Sequence, residues 1–375
     1  MHAVENVLIV GAGMCGMSLG VALKRAGIDC EIVEIRPNLF EPGTGISLQG
    51  PALRALQSVG VVDQCIARGF GYSHFKACDA MGNVTGTVDL PRLLGPAYPA
   101  TIGVLRQSIH EVLASELAKL AVPIRLSATV KTLTQNDHCV SIEFTNGKSA
   151  QYDLLVGADG MNSRIRDIAF GSAYRPHYTG QMVWRATVSR PRDVECRHSY
   201  FGPTNKSGFN PISESQMYIY AVQNVPERPH WNDAELPAML RDLLAEFGGA
   251  LGRAREEIRT AEQITCRPVF SMMLRPPWYS DRVIVIGDAA HTTTPHLASG
   301  ASIAIEDSIV LARLLQSDRA LNAILEDFMR QRYDRCRMIV QNSELLGEWE
   351  KSPGAPNQDT VGVIAASYQA LAKPV

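Results

Sequence analysis

The beginning of the chain alternates between short apolar runs and a segment with helical spacing. Residues 6–10, NVLIV, form a β-branched run of the kind found in strands buried on both faces. Residues 11–27, GAGMCGMSLGVALKRAG, place apolar side chains at helical intervals and end at a glycine. Because residues 30–34, CEIVE, return to a strand pattern, the sequence predicts a β-α-β unit that opens a doubly wound parallel sheet.

Two distant segments have the pattern of further strands in this sheet. YDLLVGADG, residues 152–160, follows a predicted strand and an Asn146-Gly147 hairpin turn. DRVIVIGDAA, residues 281–290, likewise joins an apolar run to a glycine and an acid. The nucleotide-binding domain is therefore predicted to be discontinuous. It comprises residues 1–72, 101–172 and 276–350.

The middle of the chain has a different pattern. Residues 173–275 include QMVWRATV and QMYIYAVQ, which alternate or are rich in aromatic residues and so predict a mostly antiparallel sheet, with a helix around residues 234–248. Together with residues 73–100 they are predicted to form a second, substrate-binding domain. Helical spacing over residues 303–350 predicts C-terminal helices, and residues 351–375 are predicted to be a tail that begins as a loop.

Composition and charge exclude several classes of function. The chain has 375 residues, of which 46% are hydrophobic, and a formal net charge of -2. Without a basic block, nucleic acid is not an expected partner, and no apolar run approaches the roughly 20 residues that span a bilayer. The eight cysteines form no C-x-x-C pair, so neither zinc nor another metal is expected. We expect a cytoplasmic protein, a monomer or homodimer, that does not bind membranes.

The first glycine-rich turn carries candidate chemistry. Gly11, Gly13 and Gly16 form G-x-G-x-x-G between the first predicted strand and helix, where glycines allow a backbone to approach a pyrophosphate. Glu34 ends the second predicted strand, where its carboxylate can accept the hydroxyls of an adenosine ribose. This context predicts a dinucleotide site. It does not separate FAD from NAD, although an acid at the ribose disfavours NADP there.

Three motifs in this order resemble one family. They are the segment from Gly11 to Glu34, DLLVGADGMNSRIR at residues 153–166, and GDAAHTTTP at residues 287–295. Together they resemble the class A FAD-dependent aromatic hydroxylases of the para-hydroxybenzoate hydroxylase fold. The resemblance implies an α/β fold: a Rossmann-like FAD-binding domain with an inserted, mostly antiparallel β-sheet substrate domain and C-terminal helices.

The same resemblance implies the reaction and the cofactors. FAD is the expected cofactor, and NADH or NADPH docks transiently as co-substrate. In the family, NAD(P)H reduces FAD, O2 adds to flavin C4a, and the hydroperoxide hydroxylates a small electron-rich aromatic or N-heteroaromatic compound. The expected partners are therefore a small aromatic substrate, O2 and NAD(P)H.

The resemblance also assigns roles to individual residues. A carboxylate at a strand end can accept hydrogen bonds from several hydroxyls, and Asp288 is assigned to the ribityl chain of FAD. The guanidinium of Arg106, in VLRQSIHEVL, is assigned to the pyrophosphate. Asp159, in the second motif, is linked to FAD and to the nicotinamide coenzyme. Gly45 and Ile46, in EPGTGISL, are expected to contact the flavin through their backbone.

The loop after the third motif is expected to lie against the flavin ring. Pro295 is implied near the ring and the substrate, and Gly300, Ala301 and Ser302 begin a helix whose N–H groups suit the anionic side of a reduced flavin. Relatives commonly have Gly-Gln-Gly followed by Asn, whereas this chain has Ala298-Ser299-Gly300 followed by Ser302. The departure concerns contacts with the ring and flavin motion, not the FAD assignment.

Two arginines in the second motif leave alternatives open. Arg164 and Arg166 lie in the segment that the family uses for FAD and for the nicotinamide coenzyme. Either is equally well explained as a surface residue of a helix.

Four side chains are candidates for contact with the substrate. Arg185 is predicted to bind a substrate carboxylate or phenolate or, with more weight, to form an interdomain ion pair. Tyr218 and Tyr220 alternate with apolar residues and face either a pocket or a core, with the core favoured. His296 is a conceivable base, whereas His291 is expected to be structural. No catalytic acid or base is assigned, because the cofactor carries the difficult step.

Other functions remain as alternatives at this point. A flavoenzyme of the same fold can be a reductase or epoxidase that acts on a longer apolar substrate, since fold does not settle reaction. A non-catalytic FAD-binding protein is the alternative from a different class. Flavin-dependent halogenases are disfavoured, because their W-x-W-x-I-P signature is absent.

Overall fold

The computed structural model describes residues 4–40, 43–352 and 355–375. Glu41 and Pro42, the first two residues of the loop predicted to pass under the flavin, lie outside the described residues. The strands, in chain order, are β1 (Asn6–Val10), β2 (Asp29–Val33), β3 (Gly45–Gln49), β4 (Phe70–Tyr72), β5 (His74–Asp79), β6 (Val84–Asp89), β7 (Thr101–Leu105), β8 (Ile124–Arg125), β9 (Val130–Gln135), β10 (Val140–Phe144), β11 (Ser149–Tyr152), β12 (Leu154–Gly157), β13 (His177–Ser189), β14 (Arg197–Phe201), β15 (Lys206–Pro211), β16 (Gln216–Asn224), β17 (Ile264–Met273), β18 (Tyr279–Ser280), β19 (Val283–Val285) and β20 (His291–Thr292).

Helices connect and cover these strands. They are α1 (Met14–Arg25), α2 (Gly50–Ser58), α3 (Val62–Ala67), α4 (Arg106–Lys119), α5 (Arg164–Phe170), α6 (Leu236–Leu243), α7 (Gly249–Arg255), α8 (Gly300–Leu315), α9 (Leu321–Lys351) and α10 (Thr360–Ala372). Short 3-10 turns at Gly287–Ala289 and Pro295–Leu297 lie in the third motif, where small residues and a proline do not support a longer helix.

A six-stranded sheet forms the centre of the nucleotide-binding part. Its order is β18-β19-β12-β1-β2-β8, and all its strands are parallel except β18. Val7 lies opposite Leu154 on one side and Cys30 on the other, so β1 is central. Helices α1, α4 and α8 pack together beside this sheet, which explains why its strands are continuous apolar runs. The structure confirms the predicted parallel sheet, including β12 and β19, the two strands that come from distant parts of the sequence.

A second sheet of eight strands has the order β20-β17-β13-β16-β15-β14-β5-β6. Its pairings are antiparallel except for β14 with β5. This arrangement confirms the expected mostly antiparallel sheet inserted into an α/β fold.

Alternation along the strands gives the second sheet two different faces. Trp184, Phe209 and Ile219 point into a separate apolar core that α6 and α7 cover. Arg185 and Tyr220, which are register partners, lie on the opposite face. This second face is turned toward the nucleotide-binding part and forms one wall of the space between the two sheets.

The C-terminal segment differs from its prediction. Residues 351–375 were expected to be a tail that begins as a loop, but they contain helix α10, which packs against α2 and α9. The carbonyls that end α10 accept hydrogen bonds from Arg54, to Ala372 O at 2.8 Å, and from Arg335, to Leu371 O at 2.7 Å. These contacts come from distant residues, and the local pattern of the segment does not reveal them.

The described part of the chain includes no helix that is both long and apolar enough to span a membrane. All eight cysteines are free thiols. Burial raises the pKa of Cys30 and of Cys65 to about 12, so neither is a reactive thiolate at neutral pH.

Candidate active site

The three glycines of the first motif have different packing. Gly11 has a φ of +107°, and a Cβ atom there would lie 2.4 Å from Ala158 O. A Cβ atom at Gly16 would lie 2.0 Å from Gly11 O. At Gly13, by contrast, a Cβ atom would meet no neighbouring atom of the described chain within 4 Å. The first and third glycines are therefore needed for packing, and the second leaves open space at the start of α1.

We expect Gly13→Ala to weaken FAD binding roughly tenfold while the protein stays folded, because the added methyl fills the space that a diphosphate needs. Gly86→Ala is the matched control, since a Cβ atom there also meets nothing within 4 Å but lies on β6. Fluorescence titration of the FAD-free proteins with FAD measures both. Equal affinities for the two variants would contradict a diphosphate at Gly13.

Glu34 follows β2 and lies against the glycine turn. Its Oε2 accepts a hydrogen bond from Ala12 N at 2.8 Å, and its Oε1 accepts one from Arg36 N at 3.1 Å. These bonds hold the carboxylate beside the first motif, with lone pairs remaining for further donors. The Glu34 carboxylate can therefore still accept hydrogen bonds from ribose hydroxyls, as the sequence predicts.

Asp288 and Arg106 bring opposite charges together near this turn. Burial raises the pKa of Asp288, and the charges of His291 and Arg106 oppose that rise. Burial likewise lowers the pKa of Arg106, and Asp288 opposes that shift. Both side chains nevertheless remain accessible to water. Protein surrounds them without covering them, so they line a recess and do not belong to the core.

Neither charge in this recess is satisfied by the protein. Within residues 4–40, 43–352 and 355–375, the Asp288 carboxylate accepts no hydrogen bond, and the Arg106 guanidinium forms no hydrogen bond or ion pair. Water satisfies such accessible groups, and a ligand that displaces this water must supply donors to the carboxylate and acceptors to the guanidinium. Hydroxyls would satisfy the first, and a diphosphate would satisfy the second.

Asp159 is engaged within the second motif. Its carboxylate accepts hydrogen bonds from Ser163 Oγ at 2.5 Å, Arg164 N at 2.8 Å and Ile165 N at 3.1 Å, so it caps the start of α5. The Asp159 backbone lies beside Gly11, where a Cβ atom would come within 2.9 Å of Asp159 Cα. The predicted contact between Asp159 and the cofactor stays a prediction.

Arg166 is buried, which corrects the alternative of a surface residue. Its guanidinium donates to Tyr174 O at 3.1 Å, Ala289 O at 3.1 Å and Met161 O at 2.9 Å. Three carbonyls thus satisfy the charge and tie the second motif to the third. Arg164 is the exposed one of the pair and donates to Lys131 O at 2.9 Å.

The loop after the third motif turns sharply into α8. Ala298 has a left-handed φ of 49°, and Ser299 Oγ donates to Leu297 O at 2.8 Å and lies 3.0 Å from Gln49 Oε1. Pro295 lies in the 3-10 turn that precedes this bend.

The first turn of α8 has unsatisfied polar groups. As far as the chain is described, no side chain caps this helix, and the buried Ser302 Oγ has no hydrogen-bond partner. Gly300 and Ala301 are the first two residues of the helix. The free N–H groups of this turn suit a negatively polarised ligand atom, as expected for a flavin.

His291 belongs to a buried ion-pair network. Its Nε2 lies 2.6 Å from Asp307 Oδ2, and Arg332 Nε donates to Asp307 Oδ1 at 2.7 Å. Cys336 is close enough to complete a set of potential metal ligands, but Arg332 also donates toward its Sγ. A guanidinium already supplies the positive charge, so ion pairing explains this cluster.

The structure places the substrate-side candidates in different surroundings. Arg185 forms no ion pair with any described residue, so the expected interdomain ion pair is not present. Tyr218 and Tyr220 lie on the face of the second sheet opposite its separate apolar core. Tyr218 is buried, in agreement with the favoured position: its hydroxyl accepts from Asn210 Nδ2 at 2.7 Å, and its ring packs against Gly45. Tyr220 is half-buried.

His296 is buried in a charged cluster that sequence reasoning missed. Its Nε2 lies 3.3 Å from Glu350 Oε2, and Lys206 Nζ donates to Glu350 Oε1 at 2.8 Å. Burial would raise the pKa of Glu350, but Lys206 and His296 outweigh it and lower the pKa to about 2. Members of the cluster come from β15, the 3-10 turn Pro295–Leu297 and the end of α9, which no local pattern connects.

A largely apolar cavity lies between the eight-stranded sheet, which supplies Phe75 and Arg197, and the segments β3, α2 and α10. Gln49 in its wall donates to Leu297 O at 3.1 Å, and Tyr368 from α10 donates to the same oxygen at 3.2 Å. The cavity therefore adjoins the loop that carries Pro295. Helical spacing in residues 360–372 is the sequence pattern that could have indicated its α10 wall.

The sequence of the chain is similar to those of known flavoproteins. A family model described as FAD binding domain matches residues 5–343. The chain is 32% identical to the 2-heptyl-3-hydroxy-4(1H)-quinolone synthase of Pseudomonas aeruginosa (strain UCBPP-PA14), over 92% of this chain and 90% of that protein. It is 25% identical to the 6-hydroxynicotinate 3-monooxygenase of Bordetella bronchiseptica, over 92% of this chain and 93% of that protein.

A solved structure is similar throughout its fold. Klebsiella pneumoniae HpxO, complexed with FAD and uric acid, matches with a TM-score of 0.84 at 23% identity, covering 98% of this chain and 92% of that one. The family model and the quinolone synthase confirm the resemblance seen in the three motifs, the family model confirms the FAD cofactor, and the solved structure confirms the fold. The chain therefore belongs to the FAD-binding-domain family and, within it, to the class A FAD-dependent aromatic hydroxylases.

Proposed function

We propose that the protein uses NADH or NADPH and O2 to hydroxylate a small electron-rich aromatic or N-heteroaromatic compound. The observation that carries this proposal is the recess in which Asp288 and Arg106 lack protein partners, beside the glycine turn and next to a largely apolar cavity. The names of the quinolone synthase and of the hydroxynicotinate monooxygenase support a heteroaromatic substrate.

The proposal assigns FAD to the predicted residues. Gly13 and the start of α1 would face the diphosphate together with Arg106, and Glu34 would accept the ribose hydroxyls. Asp288 would accept the ribityl hydroxyls, and the first turn of α8 would face the flavin ring. The contacts proposed to complete the set involve Gly11, Gly16, Gly45, Ile46, Asp159, Pro295, Gly300, Ala301 and Ser302.

When bound, FAD supplies the redox chemistry, taking two electrons from NAD(P)H and, with O2, transferring one oxygen atom to the ring. The residues of the chain hold the substrate and exclude water. The apolar walls of the cavity and helix α10 serve the second purpose, because water near the reacting centre diverts the oxygen to peroxide. Both ring nitrogens of His296 lie near protein partners, Thr294 Oγ1 at 2.8 Å and Glu350 Oε2 at 3.3 Å, which disfavours its predicted role as a base toward the substrate.

The organisation of the molecule is part of the proposal. Residues 1–72, 101–172 and 276–350 would form the FAD-binding domain, and residues 73–100 and 173–275 the substrate-binding domain. The six-stranded sheet takes all its strands from the first set of ranges, and the eight-stranded sheet takes all but β20 from the second, which supports this division. A cytoplasmic location, where NAD(P)H is available, agrees with eight unpaired cysteines. A monomer or homodimer is sufficient for activity, because both domains come from one chain.

The test is NAD(P)H oxidation by the FAD-loaded protein across phenols, hydroxypyridines and hydroxyquinolones, with peroxide measured in the same assay. We expect one class to stimulate oxidation strongly with little peroxide, for NADH or NADPH. If no compound stimulates oxidation although FAD is bound, the proposal is wrong. A reductase or epoxidase that acts on a longer apolar substrate, or a non-catalytic FAD-binding protein, then becomes the better interpretation.

A further inference from the structure

The largely apolar cavity has one charged side chain in its wall. Arg197 begins β14 and lies in the cavity wall together with Tyr72 and Phe75. The eight-stranded sheet supplies Arg197, and β3, the segment after β6 and helix α10 supply much of the rest of the wall. A cation is therefore part of an otherwise apolar wall.

Arg197 is the charged side chain of the cavity wall, and no carboxylate of the described chain pairs with it. Its Nε donates to Ser199 Oγ at 3.2 Å, and its guanidinium carbon lies 4.8 Å from the centre of the Phe75 ring. No carboxylate of the described chain forms an ion pair with it. On the neighbouring strand, Lys206 is comparably enclosed, yet it is paired with Glu350 at 2.8 Å. On this face of the sheet, Lys206 therefore has an anionic partner, whereas the Arg197 guanidinium keeps N–H donors that no anion of the described chain accepts.

The surroundings of Arg197 define what can bind there. Three tyrosines lie near the guanidinium. Tyr72 and Tyr368 line the same cavity, and the hydroxyl of Tyr220 lies 2.9 Å from Ser199 Oγ, the acceptor of the Arg197 hydrogen bond. Neutral hydroxyls can donate hydrogen bonds to an anion but cannot neutralise a cation, so the charge of the missing partner is negative. A planar carboxylate matches the fork of an arginine with two parallel hydrogen bonds.

The remaining wall is apolar and requires a ligand with little polarity beyond its anion. Leu90, Pro91 and Leu93 line one side, and Leu371 of α10 lies in the same cavity. Such a wall favours an aromatic ring and apolar ring substituents.

We propose that the aromatic substrate carries a ring carboxylate, which binds the Arg197 guanidinium, and that its apolar substituents lie along the segment after β6 and helix α10. This inference rests on the proposed function for its reaction but not for its binding test. Arg197 would set specificity. It is not assigned a role in oxygen transfer.

The test compares charged and neutral ligands on the FAD-loaded protein. Hydroxybenzoates and hydroxynicotinates, with and without an alkyl substituent, are paired with their carboxamides, and the change in flavin absorbance gives the dissociation constant of each. We expect at least one carboxylate to bind tenfold or more tightly than its carboxamide. In Arg197→Gln this carboxylate should bind about 10- to 100-fold more weakly, while the carboxamide changes little.

Two further variants keep the result interpretable. Arg253→Gln removes the same charge from an exposed position on α7 and should leave the preference unchanged. Arg197→Lys should keep part of the preference, because the charge remains without the fork. The FAD content and unfolding temperature of each variant show whether it is folded. An Arg197→Gln that retains the preference, or a wild-type protein that binds no carboxylate more tightly than its carboxamide, overturns the proposal.

The same experiment separates this inference from the proposed function. Carboxylate binding that depends on Arg197, without any hydroxylated product, supports the inference and contradicts the function. Hydroxylation of neutral compounds with no dependence on Arg197 supports the function and contradicts the inference.

Discussion

Asp288→Ala is expected to bind FAD about 10- to 100-fold more weakly than the wild-type protein. The expected size corresponds to the loss of about one hydrogen bond between a charged carboxylate and a ribityl hydroxyl, worth about 1.5–3 kcal/mol. The same change should not destabilise the FAD-free fold. The carboxylate is accessible to water and accepts no hydrogen bond from the residues that the structure describes, so its removal leaves no group of the folded chain without a partner.

The combination of a weaker FAD affinity and an unchanged stability without FAD makes the experiment specific. FAD affinity is measured by titrating the FAD-free protein, and stability by urea unfolding without FAD. Asp281→Asn, at an exposed position just before β19, is the matched control and should change neither quantity. If Asp288→Ala keeps the wild-type affinity, the ribityl assignment is wrong.

Arg332→Met is expected to lower the free energy of unfolding by about 3–5 kcal/mol. Arg332 is fully buried, and its guanidinium donates to Asp307 at 2.7 Å, to Glu306 at 3.0 Å and to Ile303 O at 3.0 Å. Methionine fills similar space but leaves the buried carboxylates with fewer partners. The loss should appear as a lower midpoint of urea unfolding.

The effect of Arg332→Met should depend on pH. Burial would raise the pKa of Asp307, but His291 and Arg332 outweigh it and lower the pKa from 3.8 to about 2. A carboxyl group whose pKa is lower in the folded chain stabilises the fold above its unfolded pKa, and this contribution disappears as the pH falls from about 4 toward 2. The difference between the variant and the wild-type protein should therefore narrow across that interval.

An exposed arginine on the same helix provides the comparison. Arg330 pairs with Asp327, and 69% of its side chain is exposed. Arg330→Met should change the free energy of unfolding by less than about 1 kcal/mol. If Arg332→Met has an equally small effect, the buried network does not stabilise the fold as we argue.

The parts of the fold that the sequence predicted are those with local causes. The glycine at position 16 is required by a contact with Gly11 in the same β-α-β unit, and the strand at 283–285 belongs to a short apolar run that ends at Gly287. The Asn146-Gly147 turn was predictable for the same reason, since Gly147 has a φ of +79°. Such features depend on a few neighbouring residues.

The parts that the sequence did not predict depend on long-range contacts. Arg185 and Arg197 are both arginines on strands of one sheet, and nothing near either residue reveals that it lacks an ion-pair partner. Lys206 of β15 and Glu350 of α9 meet although they are 144 positions apart. Helix α10 is a different case: its own spacing is helical, and the proline-containing polar segment before it led to the prediction of a tail. The substrate side of the site is assembled from such pairings, and the cofactor side from motifs.

The most direct test of the account is turnover under 18O2 with the compound that best stimulates NAD(P)H oxidation. We predict one labelled oxygen atom in the aromatic product for each NAD(P)H consumed, and no label in the product when 18O is supplied only as water. An unlabelled product, or NAD(P)H oxidation that yields peroxide alone with every aromatic compound tested, would contradict the assignment as an aromatic hydroxylase.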